Sequence, residues 1–334
     1  MSNGKLYTSL VSKLSTEGAD GPHVGRKVRG IGSIDVRAAK QTSDDLEAMI
    51  FFFEAETLDE LESWPPPPSQ GWSVSSGKGV ITLQLLESRY RDVFLIMSDD
   101  ICDLLVSSSS ELDSLHLLHD RLGCWQSFMK LSGPEGLGRE RSIGLYGELL
   151  VMRDLMIPQF GTRASVSGWR GFKKAPQDFQ VPGFALEVKT TTASIPDRIH
   201  ISNVQQLDNQ GPGHMILTLV HLDRNESSGD GTLPEIVDEL RTMLPDTELD
   251  LFNAGLIEVG YHDMHRDLYE HTYYVLKQRK HYEVVEDFPH ITLEMIPEGV
   301  KSVKYSISID ACGPFELEED ALLELILRME SPAS

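Results

Sequence analysis

Apolar and polar positions alternate most sharply in the middle of the chain. Phe179-Gln180-Val181 and Phe184-Ala185-Leu186-Glu187-Val188-Lys189 flank Pro182-Gly183, a pair suited to a turn because Pro presets φ and Gly accepts positive φ. The pattern predicts a β-hairpin. Pro favours a type II turn over the primed hairpin turns, which leaves room for a loop wider than two residues. A symmetric register about the turn pairs Val181 with Phe184, Phe179 with Leu186, and Asp178 with Glu187. With a side-chain period of two, Glu187 and Lys189 share one face with Asp178, while Leu186 and Val188 point the other way into a core.

Elsewhere the patterning predicts a mixed α/β chain in two parts. Residues 1–98 read as a β-rich accessory or recognition region, with strands at 49–53, 80–85 and 93–97. Residues 21–29 read as a basic loop, and 65–68, all proline, as an extended connector. Residues 99–334 form the second part. Leu115, Leu117, Leu118, Leu122 and Phe128 recur at helical spacing after a break at 107–110, and a second helix runs from about 138 to 156. Beyond the hairpin, Ile199-His200-Ile201 is a third strand, and Ser202 is an N-cap for a helix over 204–207. Further strands follow at 215–220, 273–277, 282–285 and 303–309, with helices at 234–244 and 321–329.

The hairpin carries the candidate chemistry. Carboxylates directly opposed on a ladder lie roughly 4.5–5.5 Å apart and repel, so stability alone does not select Asp178 opposite Glu187. A divalent cation between them removes the conflict: Mg²⁺ is held by one or two carboxylates, with water and phosphate oxygens completing its shell. Lys189 adds a compact positive charge suited to a phosphate oxygen or an attacking water. A Glu-x-Lys triplet is ordinary in a chain of this length, so the register and the neighbouring elements must support the reading. Glu148 lies among apolar neighbours in the second helix, and two readings stand: it turns toward the hairpin, or it is an ordinary exposed helical Glu. Trp169, Arg170, Lys173 and Lys174 interleave aromatic and basic groups in a Gly- and Pro-containing loop before Asp178. Such a loop can lie along a phosphodiester backbone, or it is a solvated loop with Trp169 in the core. His262, Asp263, His265 and His271 cluster within ten residues but match no metal-binding spacing.

Composition narrows the classes. Hydrophobic content of 40% and charged content of 25% are those of a globular protein, and no apolar run is long enough to span a bilayer. Cys102, Cys124 and Cys312 are odd in number and widely spaced, which fits a reducing cytoplasm with no disulfide framework. The net charge of −22 argues against a protein that binds DNA unaided. The acid is unevenly spread, however: residues 138–190 hold eight basic side chains against five acidic ones. A local basic surface on an acidic body suggests a subunit whose nucleic-acid affinity comes partly from a partner.

A helical Glu148, a strand Asp178 and Glu187-x-Lys189 on the next strand resemble the PD-(D/E)XK nuclease superfamily. Within it the chain is similar to a bacterial branch, through Gly147-Glu148-Leu149, Trp169 to Asp178-Phe179, Glu187-Val188-Lys189-Thr190-Thr191, Ile199-His200-Ile201-Ser202 with Gln206-Leu207, Phe288-Pro289-His290-Ile291 and Pro297-Glu298-Gly299-Val300. Pro176 is separated from Asp178 by Gln177, where the superfamily often has Pro directly before Asp. The resemblance implies a restriction-endonuclease-like core, a central mixed sheet flanked by helices, and Mg²⁺-dependent (or Mn²⁺-dependent) hydrolysis of double-stranded DNA in a restriction or phage-defence setting. Helicase-like ATPase and methyltransferase partners are then expected, and a homodimer stays open. Asp178, Glu187 and the Val188 carbonyl would hold the metal. Lys189 would orient the attacking water, Glu148 would assist it or a second metal, and Gln206 would position the assembly. Two alternatives remain: a non-catalytic architectural or sensing subunit, and a structure-selective nuclease for junctions or RNA.

Overall fold

The computed structural model describes residues 5–58, 70–169, 176–207 and 213–330. The chain divides into two compact units, Met1–Gly136 with Ile257–Tyr261, and Leu137–Leu256 with His262–Ser334. The expected division at residue 98 falls inside a helix, so it is not where the units part. The four-proline stretch lies outside the described residues.

The first unit begins with α1 (Leu6–Val11) and is built on an antiparallel sheet. Its strands are β1 (His23–Lys27), β2 (Asp35–Gln41), β3 (Glu47–Phe52), β4 (Trp72–Gly77) and β5 (Val80–Leu85), in the order β1-β2-β3-β5-β4. Among the described residues it also holds α2 (Ala55–Leu58), α3 (Arg91–Val106) and α4 (Glu111–Leu131). The basic segment read as a loop is instead edge strand β1, whose largely exposed side chains hide the alternation that marks a strand. Residues 93–97, expected as a strand, lie inside α3. Val93, Phe94, Met97, Ile101 and Leu105 are its buried positions, and that spacing is helical once more than one turn is considered. Ser110 caps α4, its side chain accepting from the Asp113 N–H at 3.1 Å.

The second unit carries the hairpin. α5 (Arg139–Val151) runs into a π-helical stretch, Met152–Met156, and then α6 (Ile157–Gly168), which breaks at Gly161 where φ is 76°. β6 (Phe179–Val181) and β7 (Phe184–Thr191) form the hairpin with Val181 opposite Phe184 and Phe179 opposite Leu186 as expected, but the ladder ends there and the expected pair Asp178–Glu187 is not part of it. The loop is no wider than Pro182-Gly183, because Gly183 takes the positive φ (77°) that a type II turn requires. β8 (Arg198–Ile201), β9 (His214–Asn225) and β10 (Gly231–Thr232) follow, then α7 (Leu233–Met243) and α8 (Asp246–Val259), whose residues from Ile257 on are counted with the first unit. α7 opens with a capping box between Thr232 and Glu235. β11 (Tyr273–Glu283), β12 (Tyr305–Ser308), α9 (Ile309–Cys312), β13 (Glu316–Leu317) and α10 (Glu319–Glu330) complete the unit.

The main sheet runs β10-β11-β9-β7-β6, with β13 on β11. β7 and β9 are parallel and the other pairs antiparallel. The two strands expected at 273–277 and 282–285 are one strand with an irregularity between Leu276 and Gln278. β8 joins β12 in a separate two-stranded ribbon. The ribbon packs on one face of the main sheet through Ile199, Ile201, Met215, Leu217, Leu219 and Ile307. β7 and β9 align Glu187 with Leu217 and Lys189 with Leu219, so Glu187 and Lys189 share the face the ribbon covers. On the same strand Thr190 meets α5. A Cβ on Gly147 would lie 3.0 Å from the Thr190 Cβ, so only glycine lets helix and strand approach this closely.

Buried between the strands, Thr218 Oγ1 and His281 Nδ1 lie 2.9 Å apart. Burial, helped by the Arg279 charge, pushes His281 down to about 4. A depressed native value means a neutral His281 favours the native state above its unfolded value near 6.5, and that stability is lost as pH falls toward 4. At about 1.36 kcal/mol per pH unit the loss is roughly 3 kcal/mol. His281→Gln should lack this component. Guanidinium unfolding at pH 7.5 and 4.5 checks it, and an equal acid loss in both proteins refutes it.

Candidate active site

The hairpin, α5 and the 3₁₀ turn Val204–Leu207 bring five of the expected residues together. Lys189 lies at the centre. Its Nζ is 2.6 Å from Glu187 Oε1 and donates to Gln206 Oε1 at 3.1 Å. Gln206 Oε1 also accepts from the Ser202 N–H at 3.0 Å and the Ser202 hydroxyl at 3.1 Å. Ser202 therefore does not cap a helix over 204–207. Asn203 does the local capping, its Oδ1 accepting from the Gln205 N–H, and the element is a single 3₁₀ turn.

Asp178 sits just before β6, and its Oδ2 accepts from the Val188 N–H at 2.8 Å. Within a strand the N–H and C=O of one residue point to the same side. The Val188 carbonyl therefore lies on the Asp178 side, beyond the end of β6, where the ladder makes no claim on it.

Glu148 comes from α5 and accepts from the Trp169 indole N–H at 2.9 Å. Trp169 is fully buried against Phe252, with ring centroids 5.7 Å apart. It is thus a core residue that holds Glu148, not a surface group for stacking bases. The loop containing Arg170, Lys173 and Lys174 lies outside the described residues.

The electrostatics of the cluster are those of acids short of positive charge. Burial raises the Glu187 carboxyl well above its ordinary value, and the Asp178 charge adds to this, against the pull of Lys189. Burial and Asp178 likewise raise Glu148 well above its usual value, opposed by the Trp169 hydrogen bond and Lys189. Burial raises Asp178 too, with Lys189 and the Val188 N–H resisting. Among the described residues one ammonium therefore serves three carboxyl groups. The Glu187 side chain is only 1% exposed, and its buried Oε2 has no hydrogen-bond partner among the described residues. A buried acceptor of this kind costs about 1–3 kcal/mol if left unsatisfied.

A hard divalent cation fits these residues. It would satisfy Glu187 Oε2, relieve the mutual repulsion of the acids, and match an all-oxygen donor set. Among the described residues no group of three or more His, Cys, Asp or Glu forms a ready-made metal cage. Mg²⁺ held by two carboxylates, with the rest of its shell from water and substrate, needs none. The histidine cluster downstream serves structure instead: the His262 ring accepts from the Met264 N–H at 3.1 Å, and Asp263 pairs with Arg241 at 2.9 Å.

Two features escaped the pattern of residues. Gln177 Nε2 donates to the Gln205 carbonyl at 2.8 Å, which ties the residue before Asp178 to the turn that presents Gln206. Trp169 orienting Glu148 is the other; the alternation of aromatic and basic residues pointed to a surface, and no local signal marked the indole as a donor to a residue 21 positions away. Trp169→Phe keeps a ring against Phe252 and loses the indole N–H. Because such supporting contacts are typically worth 10–100-fold, about a tenfold loss in Mn²⁺ affinity or in cleavage rate is expected. Calorimetric titration of the folded variant checks this, and an unchanged affinity with unchanged rate rules the orienting role out.

Among the described residues no helix is long and apolar enough to cross a membrane. No curated protein and no solved structure matches the chain. A family model described as "Putative PD-(D/E)XK family member, (DUF4420)" matches residues 7–310. That span takes in Glu148, Asp178 and the Glu187-Val188-Lys189 strand together with the turn that holds them, and the chain belongs to the DUF4420 family, which is assigned to the PD-(D/E)XK nuclease-like proteins.

Proposed function

We propose that the protein is a divalent-metal-dependent endonuclease that hydrolyses phosphodiester bonds of double-stranded DNA, working in a restriction or phage-defence setting. The observation that carries the reading is the buried Glu187 carboxylate, paired through one oxygen with Lys189 and without a hydrogen-bond partner at the other among the described residues, with Asp178 beside it. Asp178 and Glu187 would hold Mg²⁺ or Mn²⁺, with the Val188 carbonyl as a further ligand. When bound, the cation acts as a Lewis acid on the phosphoryl oxygens and lowers the pKa of water.

Lys189 supplies the positioned charge. An ammonium has three donors, and Glu187 and Gln206 take two of them. Among the described residues nothing takes the third, which would serve an attacking water or a non-bridging phosphate oxygen and offset charge that grows in the transition state. Glu187 and Gln206 hold that donor in place, so little reorganisation accompanies the reaction. Glu148, raised in pKa and oriented by Trp169, is suited to exchange a proton with water entering the site.

The net charge of −22 favours a partner for DNA binding, here a helicase-like ATPase or methyltransferase subunit. The same acidity gives a second reading: a subunit that keeps the fold, binds protein partners and does not cut. Mg²⁺-dependent nicking of supercoiled plasmid, with duplex, junction and RNA substrates alongside, separates these. No cleavage of any substrate with Mg²⁺ or Mn²⁺, together with no metal binding, sinks the nuclease.

A further inference from the structure

Beside the acid cluster lies a cavity of about 470 Å³ that the reaction does not use. One wall is the 3₁₀ turn Val204–Leu207 with Ser202 and Asn203 before it, and the other is the segment from Leu293 to Val303. Its apolar lining comes from Val204, Leu293, Ile296 and Val300, and amide edges come from Asn203 and Gln205. Glu298 and Lys301 bring one charge of each sign, so the lining is close to neutral.

The turn is fastened to the reacting groups at two points. Gln206 holds Lys189, and the Gln205 carbonyl accepts from Gln177, the neighbour of Asp178. Gln205 lines the cavity while the next residue touches Lys189, and consecutive Cα atoms are about 3.8 Å apart. The cavity therefore adjoins the turn that holds Lys189.

We infer that this cavity receives a nucleobase of the substrate strand, unstacked next to the scissile phosphate. This rests on the nuclease reading of the adjoining site and adds a base-holding subsite to it. The balanced charge disfavours a phosphate, which would call for a net positive lining. Aliphatic walls suit the faces of a flat heterocycle, and amide side chains suit its donor and acceptor edge, Gln and Asn being able to bind adenine through two hydrogen bonds. Asn203 Oδ1 is committed to the Gln205 N–H, which leaves its amide N–H groups as donors. The volume lies in the range of small-ligand pockets. Taking a base out of the stack is unfavourable, least so in a single strand or at a mismatch. The subsite would thus favour substrates that are already loosened at that position.

The probe is a set of oligonucleotides, single-stranded and duplex, with 2-aminopurine at successive positions. Ca²⁺ in place of Mg²⁺ allows binding without cutting. Stacking quenches this base, so a several-fold rise in fluorescence at one position, and not at its neighbours, is the expected result. Val300 and Gln205 are both exposed, so changes there leave folding intact. Val300→Trp should fill the cavity and abolish the rise, and Gln205→Ala should weaken the response about five- to tenfold. No response at any position, or a full response in Val300→Trp, overturns the assignment, as does displacement by inorganic phosphate but not by adenosine. Adding Mg²⁺ to the same oligonucleotides tests the chemistry separately. Cutting without a fluorescent position removes the subsite alone, and a fluorescent position without cutting removes the nuclease reading alone.

Discussion

Replacing Lys189 by Met or Ala should lower Mg²⁺-dependent strand cleavage by about 10²–10³-fold, the usual loss for one preorganised electrostatic donor. The argument is geometric. Two donors of the ammonium are fixed at 2.6 Å and 3.1 Å by Glu187 and Gln206, so the third is aimed before substrate arrives. Lys189→Met retains the apolar stem and is the safer variant for folding, since removing one partner of a buried pair leaves the other charge uncompensated. Lys189→Arg should rescue little, because a planar fork cannot replace a compact ammonium in this contact. Nicking of plasmid by proteins of matched circular dichroism is the measurement, and a Lys189→Met enzyme with wild-type rate would remove Lys189 from the chemistry. Glu187→Gln should lose activity at least as far, because it removes the carboxylate proposed to hold the metal at the same point.

Metal should stabilise the protein, and more so as pH rises. Glu148, Asp178 and Glu187 all have native values raised by burial. For acids raised in the native state, stability is fully present below the unfolded values near 4 and is lost as pH climbs through the native ones, because the native state then binds more protons than the unfolded state. The metal-free protein should accordingly lose stability from about pH 4 upward at this cluster. A divalent cation supplies the missing charge and releases those protons. At a hundredfold excess over Kd it contributes about 2.7 kcal/mol, which at about 2–4 °C per kcal/mol raises the Tm of the unit carrying the site by roughly 5–10 °C. Thermal scans with EDTA, Mg²⁺ and Mn²⁺ at pH 6 and 8 read this directly. Glu148→Gln keeps an acceptor for Trp169 and removes a charge, so without metal it should be more stable than wild type at pH 8. A metal effect that is absent, or that shrinks as pH rises, contradicts the electrostatic account of the cluster.

The hairpin was readable locally. Period-two alternation and one Pro-Gly turn specify which residues share a face, and the observed pairs Phe179–Leu186 and Val181–Phe184 follow from them. The 93–97 run was not readable. Five apolar residues suit a strand or one turn and a half of helix, and only the packing of Met97, Ile101 and Leu105 on the same side decides for α3. Trp169 was ambiguous for a related reason. A large amphipathic ring beside basic residues fits a nucleic-acid surface as well as a core, and its contacts to Phe252 and Glu148 come from distant segments. Gln206 was placed by family resemblance, while its partners Lys189 and Ser202 appear only when the turn folds over β7.

By itself, the sequence determined the local content of the site: a tight turn, two facing strands, and a Glu and a Lys committed to one side of the second, because side-chain direction in a strand depends only on position along it; Asp178, just before the first strand, is placed by its bond to the Val188 N–H. Tertiary structure alone decided what meets that side. The parallel pairing of β7 with β9, the β8–β12 ribbon and the contact of Lys189 with Gln206, with α5 passing close at Gly147 on the opposite face, all join residues far apart in the chain. Such contacts form only after the entropy of closing long loops has been overcome by burial elsewhere in the fold, and no short window of residues encodes them.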